Sequence, residues 1–383
     1  MADAAHRVTL LTPVGGDGLT HFNSLDGSAY DPFTKTMLFT QEGSGTTGGL
    51  VEIGLDYPAT VTTRYGSIGR CGLEGIKMDN KGRIYLVEDI GGKLVSTDPN
   101  DINGPKFAKQ PNSYVYRFEP RDVHDLNKGG KLEALQVWVD GAPLVFGGDD
   151  DQDAFNDTWS PKQVELHSGT SFPTKWVTVH DTATDGTADF NCNLAARTAG
   201  ATPFKRPENG AFKPDGTFRT FFFTPTGDTD NRSGSVNGLA QRGAWGGIFQ
   251  LTLDKKQELG TLKNIVLGDS THNSFDNITF GDGNTIVTAE DRGDTLHDQL
   301  DTLDSVWAYP LTNTANPLRV VALGRDASAS GDGEEDNEPT GVYVSNGERV
   351  KPDQYGNPTN LLGARGFFTE QHGDNKVYEL HHN

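Results

Sequence analysis

Pairs of carboxylate residues recur along this chain, and each pair flanks a segment that resembles a β-hairpin. The clearest pairs are Asp26 with Glu42, Glu74 with Glu88, and Asp276 with Glu290, whose members are 16, 14 and 14 residues apart. Because equivalent positions of a repeated β unit converge on a common axis, we expect these acids to lie close together. Converging carboxylates repel one another unless a cation neutralises them, so the repeat predicts a metal site.

The predicted site contains the first acid of each repeat, with the second acids behind it. Oxygen ligands of this kind suit calcium or another hard cation. A single acid can instead cap a turn by accepting hydrogen bonds from backbone amides. Equivalent placement in five repeats favours the metal site. The first acids are Asp26, Glu74, Glu208, Asp276 and Glu338, and the second are Glu42, Glu88, Glu290 and Glu370.

Two further residues are candidates for catalytic roles. His372 follows a predicted strand end and would serve as a metal ligand or a hydrogen-bond donor. Arg242 lies just before a predicted strand and is the candidate for binding a small anionic substrate, with a surface salt bridge as the alternative. The sequence contains no Gly-x-Ser-x-Gly elbow, nucleotide-binding loop or His-Glu-x-x-His helix. Hydrolysis by this chain would therefore be metal-assisted.

The elements that must position these residues are β-strands. Strand-like runs separated by Gly, Asp, Asn and Pro continue along the chain, and the 383 residues include 47 glycines. The pattern predicts an all-β, six-bladed propeller as a single domain of residues 1–383. We expect the acidic segment 148–153 to be a loop, with a surface cation site as the alternative, and residues 298–304 to form a short helix. The predicted blades span about 22–54, 72–119, 131–204, 206–251, 274–309 and 319–380, with insertions near 91–112, 147–170 and 327–365.

Composition restricts the partners and the location. The net charge of −20 and a pI near 4.8 argue against nucleic acid and anionic membranes, which both need a basic surface. No apolar run approaches the length of about 18 residues that a membrane helix needs, so we expect no membrane insertion. The first residues lack a signal segment, which fits a cytoplasmic protein or the mature form of an exported one. Cys71 and Cys192 could pair, but two buried thiols are the favoured interpretation.

Four motifs together resemble the PhoX-type alkaline phosphatases. The resemblance covers most of the chain and implies a six-bladed propeller, phosphomonoester hydrolysis, export to the periplasm or beyond, and a central cluster of calcium and ferric iron. It also implies that the acids within these motifs are metal ligands. The motifs are the segment 73–89, Arg206-Pro207-Glu208, Phe275-Asp276-Asn277 and Glu338-x-Thr340-Gly341.

The chain departs from that family's pattern at two positions. Val87 stands where the pattern has an iron-binding cysteine, and Ala244 stands where a carboxylate is expected near the phosphate-binding arginine. These differences favour calcium over iron as the main metal. Three functions stay open: a metal-dependent phosphatase, a calcium-dependent lactonase or other esterase, and a non-catalytic propeller that calcium stabilises and that binds a ligand or protein.

Overall fold

The chain is built mainly of short antiparallel strands. A computed structural model describes residues 22, 24–323, 338–345, 365–371 and 376–380. Of these residues, 44% are in strands and 13% in helices. The prediction of an all-β fold is therefore confirmed.

The first half of the chain contains twelve strands, several of which are joined by turns that an aspartate stabilises. Asp31 Oδ1 accepts a hydrogen bond of 2.8 Å from the backbone N–H of Phe33, and Asp79 Oδ1 accepts one of 2.8 Å from that of Lys81. Such bonds fix tight turns between strands. The strands are β1 Leu25–Asp31, β2 Thr36–Gln41, β3 Gly49–Ile53, β4 Val61–Thr63, β5 Leu73–Met78, β6 Ile84–Glu88, β7 Leu94–Ser96, β8 Lys106–Lys109, β9 Val115–Pro120, β10 Gly130–Val139, β11 Ala142–Pro143 and β12 Ser171–Asp181.

The second half contributes eleven more strands. Many are rich in aromatic and β-branched residues, as in the run Phe221-Phe222-Phe223, which is buried. They are β13 Pro207–Phe212, β14 Thr220–Pro225, β15 Gly247–Leu253, β16 Leu259–Leu267, β17 Phe275–Asp282, β18 Thr285–Glu290, β19 Ser305–Pro310, β20 Leu318–Ala322, β21 Pro339–Ser345, β22 Arg365–Glu370 and β23 Val377–Leu380.

Six short α-helices lie between the strands in the part of the chain that the structure describes. The acidic segment predicted to be a loop instead begins the first helix, so that prediction is wrong. Asp150 Oδ1 caps this helix by accepting a hydrogen bond of 2.8 Å from the N–H of Asp153, and acids in a first turn interact favourably with the helix dipole. The short helix predicted at 298–304 begins earlier, at Gly293. The helices are α1 Asp151–Trp159, α2 Pro161–Leu166, α3 Cys192–Thr198, α4 Asn231–Gly234, α5 Asn237–Ala240 and α6 Gly293–Leu300.

The chain divides into two compact units. The first unit consists of the residues up to Ile90 with Ser113–Gln136 and Trp176–Thr202. The second consists of Gly91–Asn112, Val137–Lys175 and the residues from Pro203 onward. Strands β10 and β12 each contain residues of both units, because the divisions fall within them.

The first unit contains two up-and-down antiparallel sheets, which we call meanders. One has the order β1-β2-β3-β4, and in the other β5, β6, β9 and β10 follow one another. Alternation along the strands directs one set of side chains into a shared core. Ile76 of β5 pairs with Leu86 of β6, and both are buried in that core with Leu38 of β2.

The second unit contains three further meanders. Strands β13-β14-β15-β16 form the first, with β12 added beside β16 through Ser171–Lys175. Strands β17-β18-β19-β20 form the second and β21-β22-β23 the third. The insertion between β6 and β9 forms the hairpin β7-β8, which packs with α1 and α5 around Val95, Ala108 and Leu239.

Several predicted blade boundaries are wrong. Residues 131–204 do not form a four-stranded blade: their first strand is part of β10, which pairs with β9, and most of the remainder is β12 and helices. Residues 319–322 close the β17–β20 meander through pairing with β19, so they do not begin the last blade. Turn signals alone did not reveal which neighbour each strand would pair with. The insertion predicted at 327–365 lies largely outside the described residues.

Candidate metal centre

Four of the five first acids of the repeat sit at irregularities of the first strand of their meander. Pairing of β1 with β2 is regular except between Leu25 and Ser28, and pairing of β5 with β6 is irregular between Leu73 and Ile76. Asp26 and Glu74 lie in these β-bulges. A bulge leaves a residue outside the regular ladder and redirects its side chain. Glu208 in β13 and Asp276 in β17 occupy the same kind of position.

Strand pairing also identifies which second acids are equivalent. Leu25 pairs with Gln41, whereas Leu73 pairs with Glu88. The position that matches Glu88 is therefore Gln41, and the position that matches Glu42 is Asp89. Since successive residues of a strand point to opposite faces, this one-residue offset decides which acids converge.

Four carboxylates of the first unit come together at the ends of these strands. Carboxylate oxygens of Asp26, Glu42 and Glu74 all lie within 4.8 Å of one another, and one oxygen of Asp89 lies within the same distance of one of Glu74. Glu74 is buried, Glu42 and Asp89 are half-buried, and Asp26 is exposed. We call Asp26, Glu42, Glu74 and Asp89 the acidic group.

Burial and neighbouring charges raise the pKa values of two members of the acidic group, Glu42 and Asp26. The pKa of Glu42 is raised by desolvation and then by the negative charges of Asp26 and Asp89. The pKa of Asp26 is also raised by desolvation, although a hydrogen bond with Glu74 acts in the opposite direction, and the charge of Asp89 raises it further. These shifts are those expected where several carboxylates share a small space without a counterion.

The backbone holds the acidic group in place from two sides. Thr40 Oγ1 donates hydrogen bonds to the carbonyl oxygens of Gly27, at 3.1 Å, and Glu74, at 2.5 Å. Gly72 also packs closely here, because a Cβ atom at this position would lie only 2.8 Å from the carbonyl oxygen of Asp89. The positions of the acids are therefore set by β1, β2 and β5 together.

Glu88 lies in the first unit but is placed differently from the acidic group. Its side chain is fully buried, and its Oε2 accepts hydrogen bonds from the backbone N–H of Tyr114, the hydroxyl of Tyr116 and the amide of Asn193, at 3.0–3.1 Å. Burial raises the pKa of Glu88 to about 8, although these three donors lower it. This carboxyl group is therefore largely protonated near neutral pH.

Glu290 occupies the matching position in the second unit and is also fully buried. Both of its carboxylate oxygens lie 3.1 Å from Nη2 of Arg292, which is itself buried. Burial raises the pKa of Glu290, while the charge of Arg292 opposes that shift. Its carboxyl group is thus held in a local ion pair.

The remaining predicted ligands of the second unit are buried and hydrogen-bonded. Glu208 Oε1 accepts from the Thr226 hydroxyl at 2.7 Å and pairs with Arg206 at 3.1 Å. Asp276 Oδ2 accepts from the side-chain amide of Asn277 at 2.6 Å. The two acids of the last meander are also buried: the backbone carbonyl of Glu338 accepts from Gln371, and Glu370 accepts from the Tyr378 hydroxyl at 3.3 Å.

Comparison with known proteins places the chain in a family. The sequence profile of the family described as alkaline phosphatase PhoX matches residues 17–349. The chain belongs to the alkaline phosphatase PhoX family. Membership confirms the resemblance seen in the motifs and the β-propeller fold class, and it supports a phosphatase-like hydrolase. The number of six blades stays a prediction. None of the curated proteins matches the chain significantly.

Two solved structures are similar to the chain at a low level. One is described as a 6-phosphogluconolactonase from Bacteroides uniformis, with a TM-score of 0.33 and 11% identity over 94% of this chain and 78% of that chain. The other is the periplasmic gluconolactonase of Pseudomonas aeruginosa, with a TM-score of 0.34 and 12% identity over 94% of this chain and 86% of that chain. Similarity at this level supports no conclusion about fold or activity.

Of the two predicted catalytic residues of this PhoX-family chain, the structure describes only Arg242. The guanidinium of Arg242 donates to the backbone carbonyls of Trp159, Ser160 and Gly238 at 2.6–3.2 Å. It therefore joins the ends of α1 and α5. His372 lies outside the described residues.

The position of the expected iron-binding cysteine lies in a regular part of the sheet. Val87 is buried in β6 and pairs with Val115 of β9. An alkyl side chain offers no metal ligand. Asp89, two residues after Val87, was not among the metal ligands predicted from the sequence. Strand alternation could have indicated it, because residues two positions apart point to the same face of a sheet.

The expectation of two buried thiols is wrong, because Cys71 and Cys192 form a disulfide with Cα atoms 5.7 Å apart. The segments are aligned by hydrogen bonds from the N–H of Arg70 to the carbonyl of Phe190 and from the N–H of Cys192 to the carbonyl of Arg70. Disulfides are typical of proteins in oxidising compartments. No helix among the described residues is long and apolar enough to span a membrane.

Proposed function

We propose that this chain hydrolyses phosphate monoesters at a metal centre held by the acidic group. The observation that carries the proposal is the convergence of Asp26, Glu42 and Glu74, whose carboxylate oxygens lie within 4.8 Å of one another, in a member of an alkaline phosphatase family. The remaining predicted ligands are proposed to contribute as well, some from the family motifs and the others as second acids of the repeat. They are Glu88, Glu208, Asp276, Glu290, Glu338 and Glu370.

The residues of the acidic group fit a hard cation. Calcium binds carboxylate oxygens at about 2.3–2.6 Å, so two oxygens that share one ion are separated by at most about 5 Å. The spacing of the three carboxylates satisfies this limit. Desolvation is the largest cause of the raised pKa values of Asp26 and Glu42, and the charges of neighbouring carboxylates add to it; a bound cation would relieve that repulsion.

Each part of the site has a separate role in the proposed reaction. A bound cation would polarise the phosphate ester and lower the pKa of a water molecule. The carboxylates of the acidic group hold the cation, and Thr40 fixes the backbone that carries Glu74. Because the chain has a net charge of −20, a small anionic substrate needs local positive charge to approach. Arg242 and His372 are the sequence-based candidates for binding this substrate.

Calcium is the proposed main metal, with iron as the alternative. Iron in the family pattern is bound by a cysteine thiolate, and the corresponding residue here is Val87. Both cysteines of the chain are joined in a disulfide, so neither offers a thiolate. We therefore expect a colourless protein that contains calcium. An intensely coloured protein with stoichiometric iron would contradict this expectation.

We also propose a periplasmic or secreted location and a single propeller domain of six blades. The disulfide supports the location, since such bonds persist in oxidising compartments, and members of the PhoX family are typically periplasmic. Five meanders among the described residues support the propeller repeat. No nucleic acid partner is proposed, because the net charge is strongly negative.

The proposal is tested by metal analysis combined with a panel of esters. Hydrolysis of a phosphate monoester that chelation abolishes and calcium restores would support it. Turnover of a lactone alone, or of no ester, would contradict it and favour the esterase or the non-catalytic alternative. Glu74→Gln should abolish activity and weaken calcium binding, because it removes a ligand charge. Glu119→Gln is the matched control, since Glu119 is an exposed acid of the same unit that pairs only loosely with Lys131, at 3.6 Å.

A further inference from the structure

Arg70 lies on a segment that runs directly beside the acidic group. A Cβ atom at Gly72 would lie 2.6 Å from the carbonyl oxygen of Gly43 and 2.8 Å from that of Asp89. The segment 70–72 therefore contacts the residue that follows Glu42 and the backbone of Asp89 itself. Arg70 precedes this contact by two residues.

The guanidinium of Arg70 is held in a defined orientation. It stacks over the ring of Tyr65 at 3.7 Å from the ring centroid, its Nε donates to Asp189 Oδ2 at 3.0 Å, and its Nη1 donates to the carbonyl of Thr46 at 3.1 Å. Stacking of this kind fixes the plane of the guanidinium and adds a favourable cation–π interaction. The side chain is thus arranged before any ligand arrives.

The backbone beneath Arg70 is equally constrained. Its N–H donates to the carbonyl of Phe190 at 2.7 Å, and its own carbonyl accepts from the N–H of Cys192 at 3.2 Å. The next residue, Cys71, is covalently bonded to Cys192. Such preorganisation lowers the entropic cost of binding a ligand.

Arg70 keeps donors available for a ligand. A guanidinium has five N–H groups, and two of those of Arg70 have partners among the residues that the structure describes. The side chain is 26% exposed, and Asp189 is more exposed, at 55%. The Nη2 group and the second hydrogen of Nη1 have no partner among the described residues, and the side chain as a whole is partly exposed.

Tyr65 connects Arg70 to the strand that carries the metal ligands. The Tyr65 hydroxyl donates to Oε1 of Gln41 at 2.5 Å, and Gln41 directly precedes Glu42. The stacked pair is consequently fixed relative to the end of β2.

We propose that Arg70 binds the phosphate group of the substrate beside the acidic group, an inference that rests on the proposed function. A planar fork of donors matches two oxygens of a tetrahedral phosphate. A phosphate dianion that approaches four carboxylates needs a fixed cation in addition to the metal, because the net charge of the chain repels it. Arg70, whose charge is shared with the more exposed Asp189, is the proposed cation.

The direct test is binding of inorganic phosphate to the calcium-loaded protein, measured by isothermal titration calorimetry. Arg70→Gln should weaken phosphate binding by about tenfold or more, because it removes charge-assisted hydrogen bonds. Arg70→Lys keeps the charge but loses the planar pair of donors. Its phosphate affinity should lie between those of wild type and Arg70→Gln. Arg121→Gln is the matched control: Arg121 is an exposed residue of the same unit, paired with Asp181 at 2.9 Å. Its phosphate affinity should stay within about twofold of wild type.

The outcomes separate this inference from the proposed function. Competition by sulfate but not by acetate supports a site for tetrahedral anions. Unchanged phosphate affinity in both Arg70 variants, or equal competition by acetate, would overturn the role of Arg70. If p-nitrophenyl phosphate is not hydrolysed while phosphate binding depends on Arg70, the proposed function fails and the anion site stands. Thermal melting of each variant shows whether it is folded. If Arg70→Gln does not fold, the phosphate affinity of Arg70→Lys still tests the proposal.

Discussion

The hydroxyl of Thr40 donates a hydrogen bond of 2.5 Å to the backbone carbonyl oxygen of Glu74, which belongs to the following meander. The same relationship recurs in the second unit, where the hydroxyl of Thr224 donates to the carbonyl oxygen of Asp276 at 2.5 Å. In both cases a threonine near the end of a second strand holds the bulge that carries the next acid. The spacing between successive acids is therefore set partly by a side chain of the preceding meander.

Replacement of Thr40 by valine should weaken metal binding. Valine has nearly the same shape, but it cannot donate to Glu74, and it leaves that buried carbonyl with one partner fewer. We expect a loss of about 1–2 kcal/mol in the free energy of unfolding and weaker calcium affinity, measured by thermal melting and calorimetry. Thr62→Val on β4 is the control and should change neither. Unaltered calcium affinity in Thr40→Val would show that the bond does not position Glu74.

The stability of the metal-free protein should fall as the pH rises through the range in which the acidic group ionises. The pKa values of Asp26 and Glu42 are raised, so the folded state holds protons that the unfolded state has released. The resulting penalty is absent below the ordinary carboxyl pKa of about 4 and complete only above the raised values.

Glu42→Gln should reduce this dependence, because it removes one of the repelling charges. The measurement is the melting temperature of the metal-free protein at pH about 5 and about 7.5, with Glu119→Gln as the control. Calcium should restore stability at the higher pH, since a ligand that binds only the folded state stabilises it. A wild-type protein whose stability rises over this range, with no difference in Glu42→Gln, would contradict the argument.

Glu88→Gln should be more stable than wild type at alkaline pH. Burial raises the pKa of Glu88 to about 8, so the penalty for keeping this group buried begins above the ordinary carboxyl pKa of about 4 and is complete only above about 8. Glutamine resembles the protonated acid and can still accept from Tyr116 and Asn193 through its carbonyl oxygen. We expect similar melting temperatures at pH about 4 and a lead of the variant that grows as the pH rises to about 9.

A contrasting variant tests whether this result depends on the environment of Glu88. Glu52 is also buried in the first unit, but it pairs with Arg64. Glu52→Gln should therefore destabilise the protein at both pH values, by about 3–5 kcal/mol, because it leaves a buried guanidinium without its counterion. Equal responses of the two variants would show that the local partners do not decide the outcome.

Loss of the Cys71–Cys192 disulfide should lower stability. The bond joins residues 121 positions apart, and closing a long loop restricts the unfolded chain. We expect the double variant Cys71→Ser, Cys192→Ser to lose about 2–4 kcal/mol in urea unfolding. A reductant should destabilise wild type by a similar amount and leave the double variant unchanged. Equal stability of wild type and the double variant would contradict this prediction.

The sequence predicted the all-β class, because this class depends on a repeated local pattern, and the same pattern placed Asp26 and Glu74 at equivalent positions that the structure brings together. Asp26 and Glu74 are recognisable from their place before a strand pair. The second acids were less predictable, since bulges change the number of residues between pairs: Glu42 matches Asp89 and not Glu88. A count of residues cannot detect a bulge.

The first helix and the disulfide could not be predicted from the local sequence pattern either. Asp150 and its acidic neighbours suggested a solvated loop, whereas the same residues cap α1 and favour its first turn. Pairing of Cys71 with Cys192 depends on tertiary contacts between segments that are distant in sequence. Local composition contains no information about either outcome.

The location of Asp26, Glu74, Glu208 and Asp276 in bulges has a consequence for how this scaffold can change over evolution. A bulge residue stands outside the regular ladder, so its replacement removes few of the interactions that join the strands. Catalytic chemistry can then diverge among descendants while the strand framework is inherited intact. Val87 is the opposite case, because it lies within a paired stretch of β6 and its exchange must also preserve packing.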